Sequence, residues 1–325
     1  MDKKSTFTKN ILLILPHSIG GRLTISSISD GFKQNNCNVI QFDELTQSRN
    51  ELTEIVEQNN FDYIAGYDFS AIKLKKELNL QLKSINYFSD EIDKPTAGEG
   101  YKELRTELNK DDNYVFYWDK ELCEAEKNIK NLFYMPHFVN TEIYKPNKLK
   151  PEFDVMFAGR LDTEYRLNFI IELLKSLPNI KFAWHAIEKH YQDALSRTSE
   201  EKLIKKVYQG FIDNETDMAK ALNNAKIIIN MHSQGKSSFN YRTFQTMACQ
   251  KLMLTDYRSE AGMLFGVNEI IYYNDLNDIK SKISHYLYNE VDYNKIIKNA
   301  RARIIKDFDS KKCVEKMLKL VTNET

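Results

Sequence analysis

INMHSQGKSSFNYRTFQTMACQKLMLTDYRSEAG, residues Ile229–Gly262, contains a complete strand–turn–helix–strand unit. An apolar strand enters Asn230, a polar glycine-containing turn follows, Tyr241–Ala248 reads as a helix, and a second apolar strand runs into Asp256. Neither strand alternates polar with apolar residues, the pattern of a parallel strand covered on both faces. Phe244 and Met247 fall on one side of the helix and read as its buried face. Ser237, Ser238 and Asn240 in the turn have polar groups that can meet a phosphate or a sugar. Beside them, Thr243 offers a hydroxyl, Arg242 can neutralise phosphate charge and Gln245 can bond ribose hydroxyls. The Gly235-Lys236-Ser237 triplet does not complete a phosphate-wrapping GxxxxGK[ST] loop, because Asn230 stands where its first glycine is required.

Upstream, DVMFAGRLDTEYR (Asp154–Arg166) repeats the strand-to-helix theme. Its strand ends at Ala158-Gly159, Arg160 extends from the sheet's carboxyl edge, and Arg166 lies near the next helix start. Guanidinium groups match phosphate oxygens and the carboxyl edge is the usual ligand position in such sheets, although ion pairs with Asp162 or Glu164 would use the same arginines. Further strands are expected at Ile180–Trp184, Val207–Phe211 and Glu269–Tyr273, and helices at Tyr165–Ser176, Glu215–Asn223 and Leu276–Tyr288. Tyr293–Lys306 and Ser310–Leu320 carry helical patterns that close the chain.

The first half has the same rhythm. Strands are expected at Asn10–Pro16, Asn38–Phe42, Asp62–Gly66, Lys83–Phe88, Asn113–Tyr117 and Leu132–Met135, with helices over Leu23–Gln34, Glu51–Gln58, Glu99–Leu108 and Lys120–Lys130. Short apolar strands alternating with helix-length segments predict two successive doubly wound α/β units. Pro146 and Pro151 bracket a charged segment at the change of unit. Gly20-Gly21 follows the first strand: it can bring backbone close to an anion or simply make a tight turn, and it is not a full GxGxxG fingerprint. His17 beside it could donate a hydrogen bond or relay a proton.

The chain has 325 residues, room for two domains of about 150 residues each. Its 46 Lys plus Arg equal its 46 Asp plus Glu, so no global basic field points to nucleic acid. Cys37, Cys123, Cys249 and Cys313 are widely spaced, contain no CxxC, and read most simply as reduced thiols. No apolar run approaches the roughly 20 residues of a membrane helix. The expected compartment is the cytoplasm. Lys295–Lys319 carries nine Lys or Arg against three Asp or Glu; its faces can be solvated surface, or can meet the inner face of an anionic membrane or an anionic acceptor assembly.

Together these residues resemble the CgeB-like branch of the group-1 glycosyltransferases, most clearly from Phe153 to the C-terminus. The motifs are DVMFAG followed by Arg166, and RTFQTMACQKLMLTD from Arg242 to Asp256, which is similar to the family's R-x-F-E-x-x-A-C-G segment followed by a hydrophobic strand and T-D. Two positions depart from it: Gln245 replaces the acidic residue and Gln250 replaces the glycine. The resemblance implies a GT-B fold, two facing Rossmann-like domains with a central cleft. It implies an acceptor-side domain over 1–148, a nucleotide-sugar-binding domain over 149–306, and a C-terminal helix, 307–325, returning to the first.

On that resemblance the chain is expected to move a sugar from a nucleotide-sugar donor to an unidentified acceptor, without a metal and with no further cofactor. Donor contacts are expected from Gly20, Gly21, Gly159, Arg160, Arg166, Ser237, Ser238, Asn240, Arg242, Thr243 and Gln245. INYFSDEID (Ile85–Asp93) resembles the family's strand-to-cleft segment, which makes Asp90 the candidate general base if the reaction inverts configuration. His17 is the second catalytic candidate. A nucleotide-sugar epimerase or hydrolase, and a non-catalytic sugar-nucleotide-binding subunit of a glycosylation assembly, are the alternatives.

Overall fold

The computed structural model describes residues 9–92, 101–233 and 235–322. By contact, the chain forms two compact units: 1–140 with 234–239 and 307–325, and 141–233 with 240–306.

The first unit runs β1 (Asn10–Leu15), α1 (Ile19–Gln34), β2 (Asn38–Asp43), α2 (Arg49–Gln58), β3 (Tyr63–Tyr67), α3 (Ser70–Glu77), β4 (Lys83–Phe88), α4 (Tyr101–Glu107), β5 (Asn113–Tyr117), α5 (Lys120–Ala125) and β6 (Leu132–Tyr134). All strand pairs are parallel, in the order β2-β1-β3-β4-β5-β6. β1 carries the buried run Ile11 to Ile14, and Leu12 and Ile14 pack with Phe42, Leu52, Ile64 and Leu74 beneath the helices. Such a strand has no polar face to give to water, so helices must cover both sides. Asp93, and Glu99 and Gly100 of the expected Glu99–Leu108 helix, lie outside the described residues.

Two local devices shape this unit. Ser18 caps α1 by accepting the Gly21 N–H at 3.1 Å, and Ser48 and Glu51 form a reciprocal capping box on α2. The closing helix, Ser310–Thr322, lies against α1. A Cβ at Gly31 would fall 2.7 Å from the Ser310 carbonyl and into Val314, so the missing side chain permits this approach. Asn35 fixes the register by donating to the Lys311 carbonyl at 2.8 Å.

The second unit runs β7 (Phe153–Ala158), α6 (Glu164–Ser176), β8 (Phe182–His185), α7 (Glu188–Ser196), α8 (Glu201–Val207), α9 (Glu215–Asn223), β9 (Ala225–Asn230), α10 (Tyr241–Ala248), β10 (Leu252–Asp256), α11 (Ala261–Leu264), β11 (Ile271–Tyr273), α12 (Leu276–Tyr288) and α13 (Glu290–Asp307); the closing helix is α14. The parallel order is β11-β10-β9-β7-β8. Val155, Phe157, Ile227, Ile229, Leu252 and Leu254 form the sheet's contribution to a core closed by Leu167, Ile170 and Leu173 of α6.

The strand expected over Val207–Phe211 is not one. Val207 ends α8, and only a single bridge joins Tyr208 to Trp184. Leu203, Ile204 and Val207 follow helical spacing, and Glu201 and Lys205 pair at 2.5 Å one turn apart. The helical period takes only Val207 from the expected segment; beyond it the Gln209 N–H donates to the Trp184 carbonyl at 2.8 Å without a strand forming.

Candidate active site

In the second unit the chemistry gathers at the carboxyl ends of β7, β8, β9 and β10. Gly159 follows β7, donates to the His185 carbonyl at 3.0 Å, and accepts the Trp184 indole N–H at 2.9 Å. Arg160 is exposed and pairs with Asp162 at 3.3 Å. Arg166 is buried instead. Its guanidinium donates to the Arg160 carbonyl at 3.1 Å, to the Met231 carbonyl, and to Asp162, tying the β7–α6 loop to the end of β9. Burial lowers its proton affinity, and its donors are largely committed to the protein.

Around His232, which follows β9, is a polar network that sequence reading did not single out. His232 Nδ1 lies 2.7 Å from Asp256 Oδ1, and His232 Nε2 accepts the Asn240 backbone N–H at 3.2 Å. An imidazole nitrogen that accepts an N–H carries no proton, so the ring is neutral with its hydrogen on Nδ1. Burial, which lowers the His232 pKa, agrees with that state. Asn230 and Asn240 exchange side-chain hydrogen bonds at 2.9 Å in both directions, and Asn230 also donates to Thr243 Oγ1 at 3.1 Å. Asn240 and Thr243 therefore hold the start of α10 in place.

Arg242 sits in the first turn of α10. It donates to Gln245 Oε1 at 2.7 Å, and Gln245, itself 1% exposed, donates to the Tyr144 hydroxyl. Among the described residues no carboxylate pairs with Arg242, and its buried Nε has no hydrogen-bond partner. Burial lowers its pKa. A half-buried guanidinium with an unused, buried donor is a place for an anion. α10 then ends in a Schellman motif, with Gln250 N–H on the Met247 carbonyl at 3.0 Å and Lys251 N–H on the Thr246 carbonyl at 3.2 Å. Gln250 has φ +56°, the left-handed conformation in which glycine is favoured.

Ser237 and Ser238 belong to the first unit. The Asp119 carboxylate there accepts the backbone N–H groups of Lys236, Ser237 and Ser238 at 2.7, 2.8 and 3.1 Å, and the Ser237 hydroxyl at 2.9 Å. Successive N–H groups turned to one point make an anion nest; an aspartate of the protein occupies it. Gly235 makes the approach feasible, since its φ is +69° and a Cβ would meet the Trp118 ring and, at 2.8 Å, Asp119.

At the carboxyl ends of β1, β3 and β4 stand the remaining candidates. Gly20 faces open space, whereas a Cβ at Gly21 would strike Ser18 Oγ at 2.6 Å, Pro16 and Tyr67. His17 is largely exposed, 3.4 Å from Glu44. Asp90 is half-buried, and its Oδ1 accepts the Glu91 N–H at 3.0 Å. Next to it is Asp68, which the sequence did not advertise. Its φ is +51°, and its Oδ1 accepts the Ser89 N–H at 3.1 Å. Burial, reinforced by the Asp90 charge and opposed by the backbone donors, pushes its pKa up to about 7. His137 is a packing residue: buried beside Trp118, with Nδ1 3.1 Å from the Tyr87 hydroxyl and a pKa pressed down to about 3 by burial.

The four cysteines are free thiols. Among the described residues no group of three or more His, Cys, Asp or Glu could hold a metal ion, and no helix is long and apolar enough to cross a membrane.

Sucrose-phosphate synthase from Thermosynechococcus elongatus superposes with a TM-score of 0.71 over 97% of this chain and 98% of that one, at 12% identity. The fold is GT-B. HepE of Anabaena, solved with UDP and glucose, shares this GT-B architecture with a TM-score of 0.70 over 97% of this chain and all of that one, again at 12% identity. Within the GT-B chain, residues 164–319 match the family profile described as glycosyl transferase-like. The spore protein CgeB of Bacillus subtilis is 24% identical over 181 residues. That match spans 51% of this chain and about half, 54%, of the relative.

Proposed function

We propose that this protein is a glycosyltransferase of the GT-B class, in the CgeB-like branch, that transfers a sugar from a nucleotide-sugar donor to a hydroxyl-bearing acceptor. The observation that carries the reading is Arg242: a half-buried guanidinium at the start of α10, with a buried, unpartnered Nε and no paired carboxylate among the described residues, inside the segment that matches the glycosyl transferase-like profile. A nucleoside diphosphate supplies the missing anion, and negative charge grows on that group as the glycosidic bond to it breaks. Arg160, exposed and among the described residues paired with Asp162, is the second cation assigned to it. HepE in complex with UDP-glucose supports a uridine nucleotide as the first donor to try.

The donor side is assigned to residues 149–306 and the acceptor side to 1–148, with 307–325 completing the latter. Asp90 is assigned the base role for an inverting reaction, taking the acceptor hydroxyl proton as oxygen attacks the anomeric carbon and the diphosphate leaves with the bonding electrons. No metal is assigned to the reaction, and the protein is placed in the cytoplasm, with the basic tract from Lys295 onward available to an anionic membrane surface.

A transfer screen tests the reading. The chain is incubated with UDP-sugars and cell-extract acceptors in EDTA, and products are identified by mass spectrometry. Mass increments of one hexose or N-acetylhexosamine on a separate acceptor are expected. Free sugar alone would indicate a hydrolase, an isomerised donor an epimerase, and donor binding without turnover a non-catalytic subunit.

A further inference from the structure

A cavity of about 400 Å³ lies in the second unit, at the amino ends of β7 and β8. Gly159, Arg160 and Arg166 stand at the carboxyl end of β7, so the cavity opens on the sheet edge away from the residues assigned to the nucleotide. Its apolar wall is made by Phe153 and Phe182 at the strand starts, Leu174 and Leu177 from the end of α6, and Leu203 and Val207 of α8. Leu177 and Leu203 pack on the core of this unit but are themselves only partly covered.

The charged residues around that wall all have one sign. Lys175, Lys181 and Lys206 line the cavity with the amides of Asn179 and Gln209, and among the described residues its lining includes no Asp or Glu. Lys175 is offset by Glu172 at 3.2 Å and Glu200 at 3.0 Å. Lys181 and Lys206 are exposed and form no ion pair among the described residues; Asp154, which accepts the Lys181 backbone N–H at 3.0 Å, pairs with Lys226 at 3.8 Å instead. Lysine stems lie along apolar surface while their ammonium groups stay in water, which sets two uncompensated positive charges beside an apolar pocket. A neutral apolar molecule would leave those charges unused, and a compact anion would leave the wall uncovered. A cation, organic or metallic, would be repelled by both ammonium groups. The complement is a molecule with one anionic end and an apolar body. The volume is near the small end of the range of about 300–1,000 Å³ for ligand pockets, so that body is a short chain or a single ring.

We propose that the amino edge of the second sheet carries a ligand site for a medium-chain carboxylate, with its head at Lys181 and Lys206 and its chain on Phe153, Phe182, Leu203 and Val207. Lys181 immediately precedes Phe182 of β8, and Lys206 immediately precedes Val207 of α8, so each ammonium is anchored one residue from the apolar wall. Burial of the chain supplies most of the affinity, and the lysines select the sign of the head group. The site does not depend on the transferase reading, since it shares no residue with the nucleotide side.

The test uses the full chain and saturation-transfer difference NMR, with octanoate below its micellar concentration, n-octylammonium and acetate as probes. Octanoate should receive saturation along its chain, and octylammonium and acetate should receive little. Lys181→Glu combined with Lys206→Glu changes two exposed side chains and should leave the melting temperature in place. In that variant octanoate affinity should fall about tenfold while octylammonium binding rises. Octanoate should also slow hydrogen exchange at residues 174–182 and 203–207 of the wild type. Equal binding of octanoate and octylammonium overturns the charge assignment. Undiminished octanoate binding in the double variant, or protection confined to other residues, overturns the location. Absence of octanoate binding overturns the proposal outright; sedimentation with phosphatidylglycerol vesicles that the double variant loses would then assign the two lysines to a membrane surface.

Discussion

Asp119 and Ser237 are 118 positions apart in the chain, yet the Ser237 backbone N–H and hydroxyl both point at the Asp119 carboxylate, at 2.8 and 2.9 Å. With the Lys236 and Ser238 N–H groups they satisfy an anion that is fully buried. Asp119→Ala should therefore lower stability by about 2–4 kcal/mol and raise hydrogen exchange at residues 235–239 more than elsewhere. Burial alone would raise the Asp119 pKa, but the N–H donors more than offset it and hold it below the ordinary carboxylate range. Its contribution is complete above the unfolded value, near pH 4, and is lost as pH falls through the lower native value. Melting curves of wild type and Asp119→Asn should converge on acidification; a constant gap would contradict the assignment.

Gln250 is a glutamine in a glycine position. A side chain with φ +56° at the residue after a helix cap is disfavoured by roughly 1 kcal/mol. Gln250→Gly should stabilise the protein by about that amount, read as a higher denaturant midpoint with an unchanged slope.

His232 bridges Asp256 and the Asn240 N–H only while neutral. Replacing it with alanine leaves the Asn240 N–H without its acceptor and removes one of the donors to Asp256, which keeps the residue-232 backbone N–H and the Thr255 hydroxyl, and should cost about 1–3 kcal/mol. Because burial sets its native pKa below that of the unfolded chain, the unfolded state gains a proton first as pH falls below about 6.5. Wild type should lose stability through that window, and His232→Gln should lose less. Parallel pH–melting profiles would contradict this.

Arg242→Ala should weaken UDP about tenfold or more while leaving uridine nearly unchanged, because the guanidinium is assigned to phosphate rather than to base or ribose. Calorimetric titration of both ligands decides it. Equal losses would place Arg242 in a structural role through Gln245.

Asp68 carries the opposite linkage from Asp119. Its carboxyl keeps a proton to about pH 7 in the native state, while the unfolded chain releases it near pH 4. Stability therefore falls as pH rises between those values, with each unit of elevation worth about 1.4 kcal/mol. Tyr67 and Asp90 flank it, with His17, Glu44, Lys73 and Lys76 on the wall of the cavity at the carboxyl ends of β1 and β3. The melting temperature of Asp68→Asn should gain on wild type from pH 4 to 7 and hold its lead above that. A pH-independent difference would mean that Asp68 ionises normally.

Local hydrophobic periodicity determined most of the elements. Leu12 and Leu13, on opposite faces of β1, are both buried, so that strand was recognisable from its unbroken apolar run. Phe244 and Met247 marked the inner face of α10 in the same way. Where a segment was short the period was ambiguous, and Val207, expected to open a strand, instead closed the helix of Leu203 and Ile204. The family-like motif located Arg242, but the anion-binding turn beside it could be filled by any carboxylate that the fold brought near, and tertiary structure chose Asp119. The Asp256–His232 bond and the Asp68–Ser89 contact span 24 and 21 residues and join the ends of neighbouring strands. Strand order makes such neighbours, and strand order depends on how whole sheets bury their faces, which no local pattern encodes.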